Sequence, residues 1–203
     1  MTNYTQNYFR EVEEVARGID QREVDRMIDV LVEARARNGR LFILGVGGSA
    51  GNAGHAVNDF RKLCGIESYA PTDNVSELTA RTNDEGWETS FSAWLEVSRL
   101  SRADALLVFS VGGGSREHRV SVNLVHAMET AKALGASVYG VAGAPGGTLA
   151  ELADVAILIE PPAELRTPLV ESFQAVVWHA LVSHPGLAVR QGHWESLGTS
   201  AAP

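Results

Sequence analysis

Two side chains in the segment LFILGVGGSAGNAGHAVNDFRK, residues 41–62, raise the chemical question. An apolar run stops at a group of glycines with one serine. A stretch of helical character follows and sets His55 and Asp59 four residues apart, on one face and one turn from each other. An imidazole and a carboxylate so placed can share a metal ion or pass a proton; they can equally form a plain solvated pair. A second run, SVGGGSREH at 110–118, repeats the pattern of strand, glycine loop and predicted helix. In both loops, free backbone N–H groups and the positive end of a helix dipole would meet at the carboxyl edge of a sheet, where an anion is held well. The first loop offers Gly47, Gly48 and Ser49, and the second offers Ser110, Gly112, Gly113, Gly114 and Ser115, with serine hydroxyls added to main-chain donors.

Other readings of the loops are open at this point. GVGGSA satisfies the dinucleotide-binding pattern G-x-G-x-x-G/A, with Glu67 near the distance expected of a ribose-binding acid. That scheme has no need of the second glycine loop, and the strand that would present Glu67 is short. Neither loop carries the G-K-S/T of a nucleotide P-loop. Both loops can also be tight turns and nothing more.

The elements that must position these residues can be read from periodicity. Tyr8, Val12 and Val15 recur at helical spacing; Asp20 can cap a second helix in which Val24, Met27, Ile28, Leu31 and Val32 share a face. From residue 41 onward, LFILGV, ALLVFSV, SVYGVAG and DVAILIE are strand-like, IESYA is a weaker candidate, and helical segments lie between them. Continuous apolar strands suit a sheet covered on both faces, which predicts a parallel sheet between two helix layers. A last helix is predicted from about residue 164 to 183, closed by HPG, with a loose tail after Pro185. The resulting scheme is one domain over 1–203: two leading helices at 1–40 for self-association, an α/β core at 41–185 and a tail at 186–203.

Composition narrows the classes. The 203 residues are 45% hydrophobic and 21% charged, with a formal net charge of −8 and one cysteine, Cys64. The charge opposes nonspecific binding to nucleic acid or to an anionic membrane, so an anionic ligand needs local donors. One cysteine excludes an intrachain disulfide framework. No apolar run is long enough to span a bilayer, and MTNYTQNYFREVEEV lacks the layout of a signal peptide, which predicts a cytoplasmic protein. His118 and His126 are expected on the helix after the second loop as surface or packing residues, RARNGR as a basic helix end, and GAPGGTLAE as a loop and helix start.

Taken together, the G-x-G-G-S loop, the helix bearing H-x-x-x-acid, and the second strand with its serine- and glycine-rich loop resemble the sugar isomerase (SIS) domain family. The likeness is closest to the phosphoheptose isomerases, which interconvert sedoheptulose 7-phosphate and D-glycero-D-manno-heptose 7-phosphate. The resemblance implies a three-layer α-β-α sandwich with a parallel five-stranded sheet of flavodoxin-like topology, a homotetramer, and a zinc site. Carried onto this chain, the metal ligands fall on His55, Asp59, Glu171 and His179, with Asp59 and His179 also acting as base and acid. Glu171 would adjoin the substrate as well, and so would Asn83 and Asp84 in TARTNDEGW, with Ser76 and Glu77 as weaker candidates. This chain departs from the family in Asp for Glu at 59, Glu for Gln at 171, Val46 in the first loop, and Val111 and Gly112 in the second. The resemblance thus implies metal-assisted aldose–ketose isomerisation of a phosphorylated sugar. The alternative it carries is a noncatalytic SIS protein that binds phosphosugars or a protein partner, like the replication-initiator-associating relatives, which lack the acid and the final histidine.

Overall fold

The structure is a computed structural model, and it describes residues 3–193; the end of the predicted tail lies outside the described residues. Two helices come first, α1 (Tyr4–Gly18) and α2 (Gln21–Ala36). Asp20 caps α2 by accepting from the Arg22 N–H, and α2 buries Met27, Ile28, Leu31 and Ala34 along one stripe, as the spacing predicts. The strands are β1 (Leu41–Leu44), β2 (Ser68–Tyr69), β3 (Ala105–Ser110), β4 (Ser137–Gly143) and β5 (Val155–Ile159). They form one parallel sheet in the order β2-β1-β3-β4-β5, with Leu41 opposite Ala105, Ala105 opposite Ser137 and Tyr139 opposite Val155. The weak candidate IESYA is therefore a strand, shortened to two residues at the sheet edge.

Helices cover both faces of the sheet. Between the strands run α3 (Gly48–Cys64), α4 (Val75–Asp84), α5 (Ser90–Val97), α6 (Val122–Ala133) and α7 (Gly147–Leu152), and α8 (Arg166–Ser183) closes the fold. Because strand side chains alternate, Leu41 and Ile43 join a core with Met27, Phe60, Phe109 and Trp178 on one side. Phe42 and Leu44 join Phe91, Val108, Met128 and Leu149 on the other. The first core holds the site, since α3 and α8 pack together there. Among the described residues no helix is long and apolar enough to cross a membrane.

The second glycine loop does not open directly into a helix as expected. Ser115 and Val120 bridge across a tight turn, with Ser115 N–H donating to Val120 O at 2.9 Å, and α6 begins only at Val122. His118 sits in that turn and gives its N–H to Ser115 Oγ, while His126 is on α6 with Nδ1 3.0 Å from Glu88 O. The segment around Asn83 is likewise helical: Asn74 caps α4 by accepting from Glu77 N–H, and Asn83 and Asp84 are its last two residues.

Candidate functional site

The helices α3 and α8 lie side by side and run in the same direction. Asn52 donates to Glu171 O and to Gln174 Oε1 near their beginnings, Trp178 reaches Asp59 further on, and Cys64 meets Val182 near their ends. The buried stripe of α8, Leu169, Val170, Phe173, Gln174, Val177, Trp178, Leu181 and Val182, fixes its rotation. That rotation leaves Glu171 and His179 at the margin of the stripe, facing α3.

Asp59 is at the centre of the site. It is 8% exposed, and its Oδ2 lies 3.6 Å from His55 Nε2 and 3.5 Å from His179 Nε2. The same oxygen accepts from Trp178 Nε1–H at 3.0 Å, and Oδ1 accepts from Asn58 Nδ2 at 3.0 Å. The carboxylate is thus held at both ends, while each imidazole is about half exposed, 56% for His55 and 52% for His179. The rings pack edge to face, with centroids 5.5 Å apart, and Trp178 lies beneath both.

One ligand atom from each of His55, Asp59 and His179 lies within 4.8 Å of the other two. Nitrogen and oxygen ligands about 2.0–2.1 Å from a tetrahedral zinc ion stand roughly 3.3 Å apart, so 3.5 and 3.6 Å need only a small closing movement. Two imidazoles and one carboxylate suit a divalent ion, leave a position for a ligand, and have the outer support that such sites carry, here from Trp178 and Asn58. The cluster lines a cleft of 710 Å³ whose far wall is the segment after α8.

Glu171 is not brought to this cluster within one chain. Eight residues of helix separate it from His179, about 12 Å along the axis. Its carboxylate instead lies over the start of α3, so that a methyl group at Gly48 would fall 2.4 Å from Glu171 Oε2. Ser49 is buried there, with its Oγ accepting from Gln174 Nε2 at 3.0 Å. The first glycine loop and Asp59 are also at opposite ends of α3, about 16 Å apart by helix rise, too far for one small ligand to touch both in the same chain.

In the second loop, Gly113 N–H donates to Ser110 Oγ at 3.0 Å, and the Gly113 and Gly114 carbonyls accept from Leu149 and Thr148 N–H at the start of α7. The space beside Gly112 is open. Asn83 and Asp84 are exposed and hydrogen-bond to each other. Sequence reasoning singled out His55, Asp59 and His179 but not Trp178, whose indole N–H is what orients the acid. Asn58 gave no sequence signal at all.

A family model, the SIS domain, matches residues 6–143. With a parallel five-stranded sheet and this arrangement of loops, the chain belongs to the SIS domain family. Among curated proteins it is similar to the phosphoheptose isomerase of Burkholderia pseudomallei, 31% identical over 169 residues that cover 79% of this chain and 81% of that protein. It is also similar to the lincomycin biosynthesis protein LmbN of Streptomyces lincolnensis, 41% identical over 152 residues and 69% of this chain. The matched part is 54% of LmbN, so the chain spans about half the length of that relative. Among solved structures, a phosphoheptose isomerase from Neisseria gonorrhoeae superposes with a TM-score of 0.75 at 22% identity, over 88% of this chain and 93% of that one.

Proposed function

We propose that this chain is a metal-dependent aldose–ketose isomerase acting on a phosphorylated sugar, with sedoheptulose 7-phosphate as the first substrate to test. One observation carries the reading: an acid, fixed by an indole and an amide, converges with two imidazoles at the floor of a cleft. The names of the phosphoheptose isomerase relatives support the reaction class. The likeness to a lincomycin biosynthesis protein argues for a substrate panel that reaches beyond heptoses.

Isomerisation through an enediol needs a base for a carbon-bound proton and a carrier for the oxygen-bound one. Asp59 takes the first proton and returns it to the neighbouring carbon; its hydrogen bonds from Trp178 and Asn58 keep the carboxylate aimed during the transfer. His179, half exposed in the cleft, carries the proton between the two oxygens. His55, Asp59 and His179 would hold the ion, for which zinc suits the donor set, and a bound ion would supply Lewis acidity toward the substrate oxygens. Because the glycine loops lie at the other end of α3, Gly47, Gly48, Ser49, Ser110, Gly112, Gly113, Gly114 and Ser115 contribute to this site from a neighbouring copy, as do Glu171, Asn83 and Asp84. That arrangement makes the working unit an oligomer, for which a homotetramer is the reading.

The test is solvent exchange. In deuterium oxide, the purified protein should place label on the carbon next to the carbonyl of at least one sugar phosphate. Asp59→Asn and His179→Ala should each lower that exchange by about a hundredfold or more. No label from any sugar in the panel would leave a phosphosugar-binding protein in place of an enzyme.

A further inference from the structure

The serine- and glycine-rich loop after β3 is held from its two sides by different means. On the glycine side main-chain bonds fix it, since the Gly113 and Gly114 carbonyls accept from Leu149 and Thr148 N–H at the start of α7. On the serine side the chain runs into the turn from Ser115 to Val120, whose two ends exchange N–H···O bonds of 2.9 and 3.0 Å. Arg119 and Ser121 have φ of 51° and 49°, left-handed values that residues with a side chain rarely adopt. A turn so built keeps its shape only where its surroundings hold it.

Those surroundings are side chains. Arg116 grips Glu129 of α6 with two nitrogens, its Nε lying 2.8 Å from Oε1. Arg119 pairs with Glu88 in the 3-10 turn Trp87–Thr89. His126 of α6 joins the two, with Nδ1 3.0 Å from Glu88 O and Nε2 3.3 Å from Arg116 Nη1. A carbonyl only accepts and a guanidinium only donates. The ring therefore carries its proton on Nδ1 and offers a lone pair to Arg116, so the arrangement requires a neutral His126. A proton on Nε2 would set two donors and two positive charges against each other. Residues 116–119 of the turn all carry charge or titrate, and Glu88 and Glu129 meet them from the other side. α5 and α7, also packed on α6, bring one acid each, Glu96 and Glu151, neither of them a hydrogen-bond partner of His126.

We infer that Arg116, Glu129 and His126 are positioning residues for the loop Ser110–Ser115. They act through Ser115, which is both the last residue of the loop and the first of the turn, and need not touch the ligand themselves. The inference rests on the reading of that loop as an anion-binding part of the phosphosugar site. It adds what holds the loop and which protonation state of His126 does so.

Sulfate, which does not take up a proton in this range, is the probe, titrated calorimetrically into the full chain as purified near about pH 8 and about pH 5.5. Glu129→Gln is the decisive variant. By charge alone, removal of an acid near the loop strengthens anion binding; by releasing Arg116 it should instead weaken it, by about fivefold at the higher pH. Arg116→Gln should weaken it by a similar factor. His126→Asn keeps a donor for Glu88 O and removes the acceptor for Arg116. Wild-type affinity should exceed that of His126→Asn by about fivefold at the higher pH and equal it at the lower one, across the range in which imidazoles gain a proton. Melting temperatures should stay near the wild-type value, since the Arg116 and Glu129 side chains are 54% and 39% exposed and such pairs add little to stability. Three results overturn the inference: sulfate binding by Glu129→Gln as tight as wild type or tighter, a His126→Asn ratio that does not change with pH, or no sulfate binding by the wild type. Deuterium exchange reports on the isomerase reading separately. Exchange with sulfate affinities unaltered by the variants sinks only the positioning role, and the expected affinity changes without exchange from any sugar phosphate sink only the reaction.

Discussion

Asp59 accepts hydrogen bonds on both carboxylate oxygens and faces two imidazoles, so its aim is set by its neighbours. Trp178→Phe keeps most of the buried ring but removes the indole donor. It should lower zinc affinity by about 10–100-fold with a small effect on stability, measured by competition with a chromogenic chelator. Retained affinity would show that the indole serves packing alone. A different residue gives a prediction on reactivity. Cys64 is fully buried, and burial pushes its thiol up to about 11 despite the opposing pull of Arg35. A disulfide reagent at pH 8 should therefore modify it only as fast as the native protein opens. The His55 and Asp59 pair was legible from a spacing of four, because one helix turn sets it. The Trp178 bond was not, because it joins residues 119 apart in sequence and depends on how two helices are rotated against each other.

At the scale of elements, periodicity and apolar runs located both leading helices, all five strands and the last helix. The miss was the start of α6. A glycine loop followed by Ser115, Arg116 and Glu117 reads like a helix cap with a polar first turn. The chain instead closes a Ser115 to Val120 bridge, and Ser121 takes a left-handed conformation, φ 49°, before the helix begins. What sets that turn is pairing between residues on its two sides, which local propensity does not show. The second loop is in turn locked to the β4–α7 connection. Gly113 has φ 77°, and a methyl group on it would fall 1.7 Å from Gly146 O. Gly113→Ala combines a strained backbone with a main-chain clash, and should cost about 2–4 kcal/mol in urea unfolding. Gly112→Ala, with open space beside it, should cost far less.

For the molecule as a whole, acid stability turns on a pair far from the cleft. Asp104 is 2% exposed and accepts from the Arg40 guanidinium, from Arg40 N–H and from the N–H and hydroxyl of Ser101. Burial alone would raise its pKa, but these donors outweigh it and the carboxyl titrates below its ordinary 3.8. Its stabilisation is therefore complete above that value and is lost as pH falls through it toward the lower folded value. Asp104→Asn should cost about 3–5 kcal/mol at pH 7, since Arg40 is left without its partner. The gap between variant and wild type should narrow near pH 3 in parallel urea titrations. Association makes the other prediction at this scale. Tyr4 and Phe9 on α1 are 70% and 61% exposed in the single chain. Light scattering should give a tetramer, and Phe9→Glu should shift it toward smaller species.

The sheet itself says how copies can meet. β2 is only two residues long, with Ser68 O already accepting from Arg61 and the guanidinium lying over the Tyr69 ring. At the opposite border, α2 packs along β5, and Arg26 donates to Asp154 O just before that strand. A newcomer strand would find only two paired residues to extend at the β2 border. Growth by strand addition, the route to fibrous aggregates, is thereby limited at the β2 border of the folded chain.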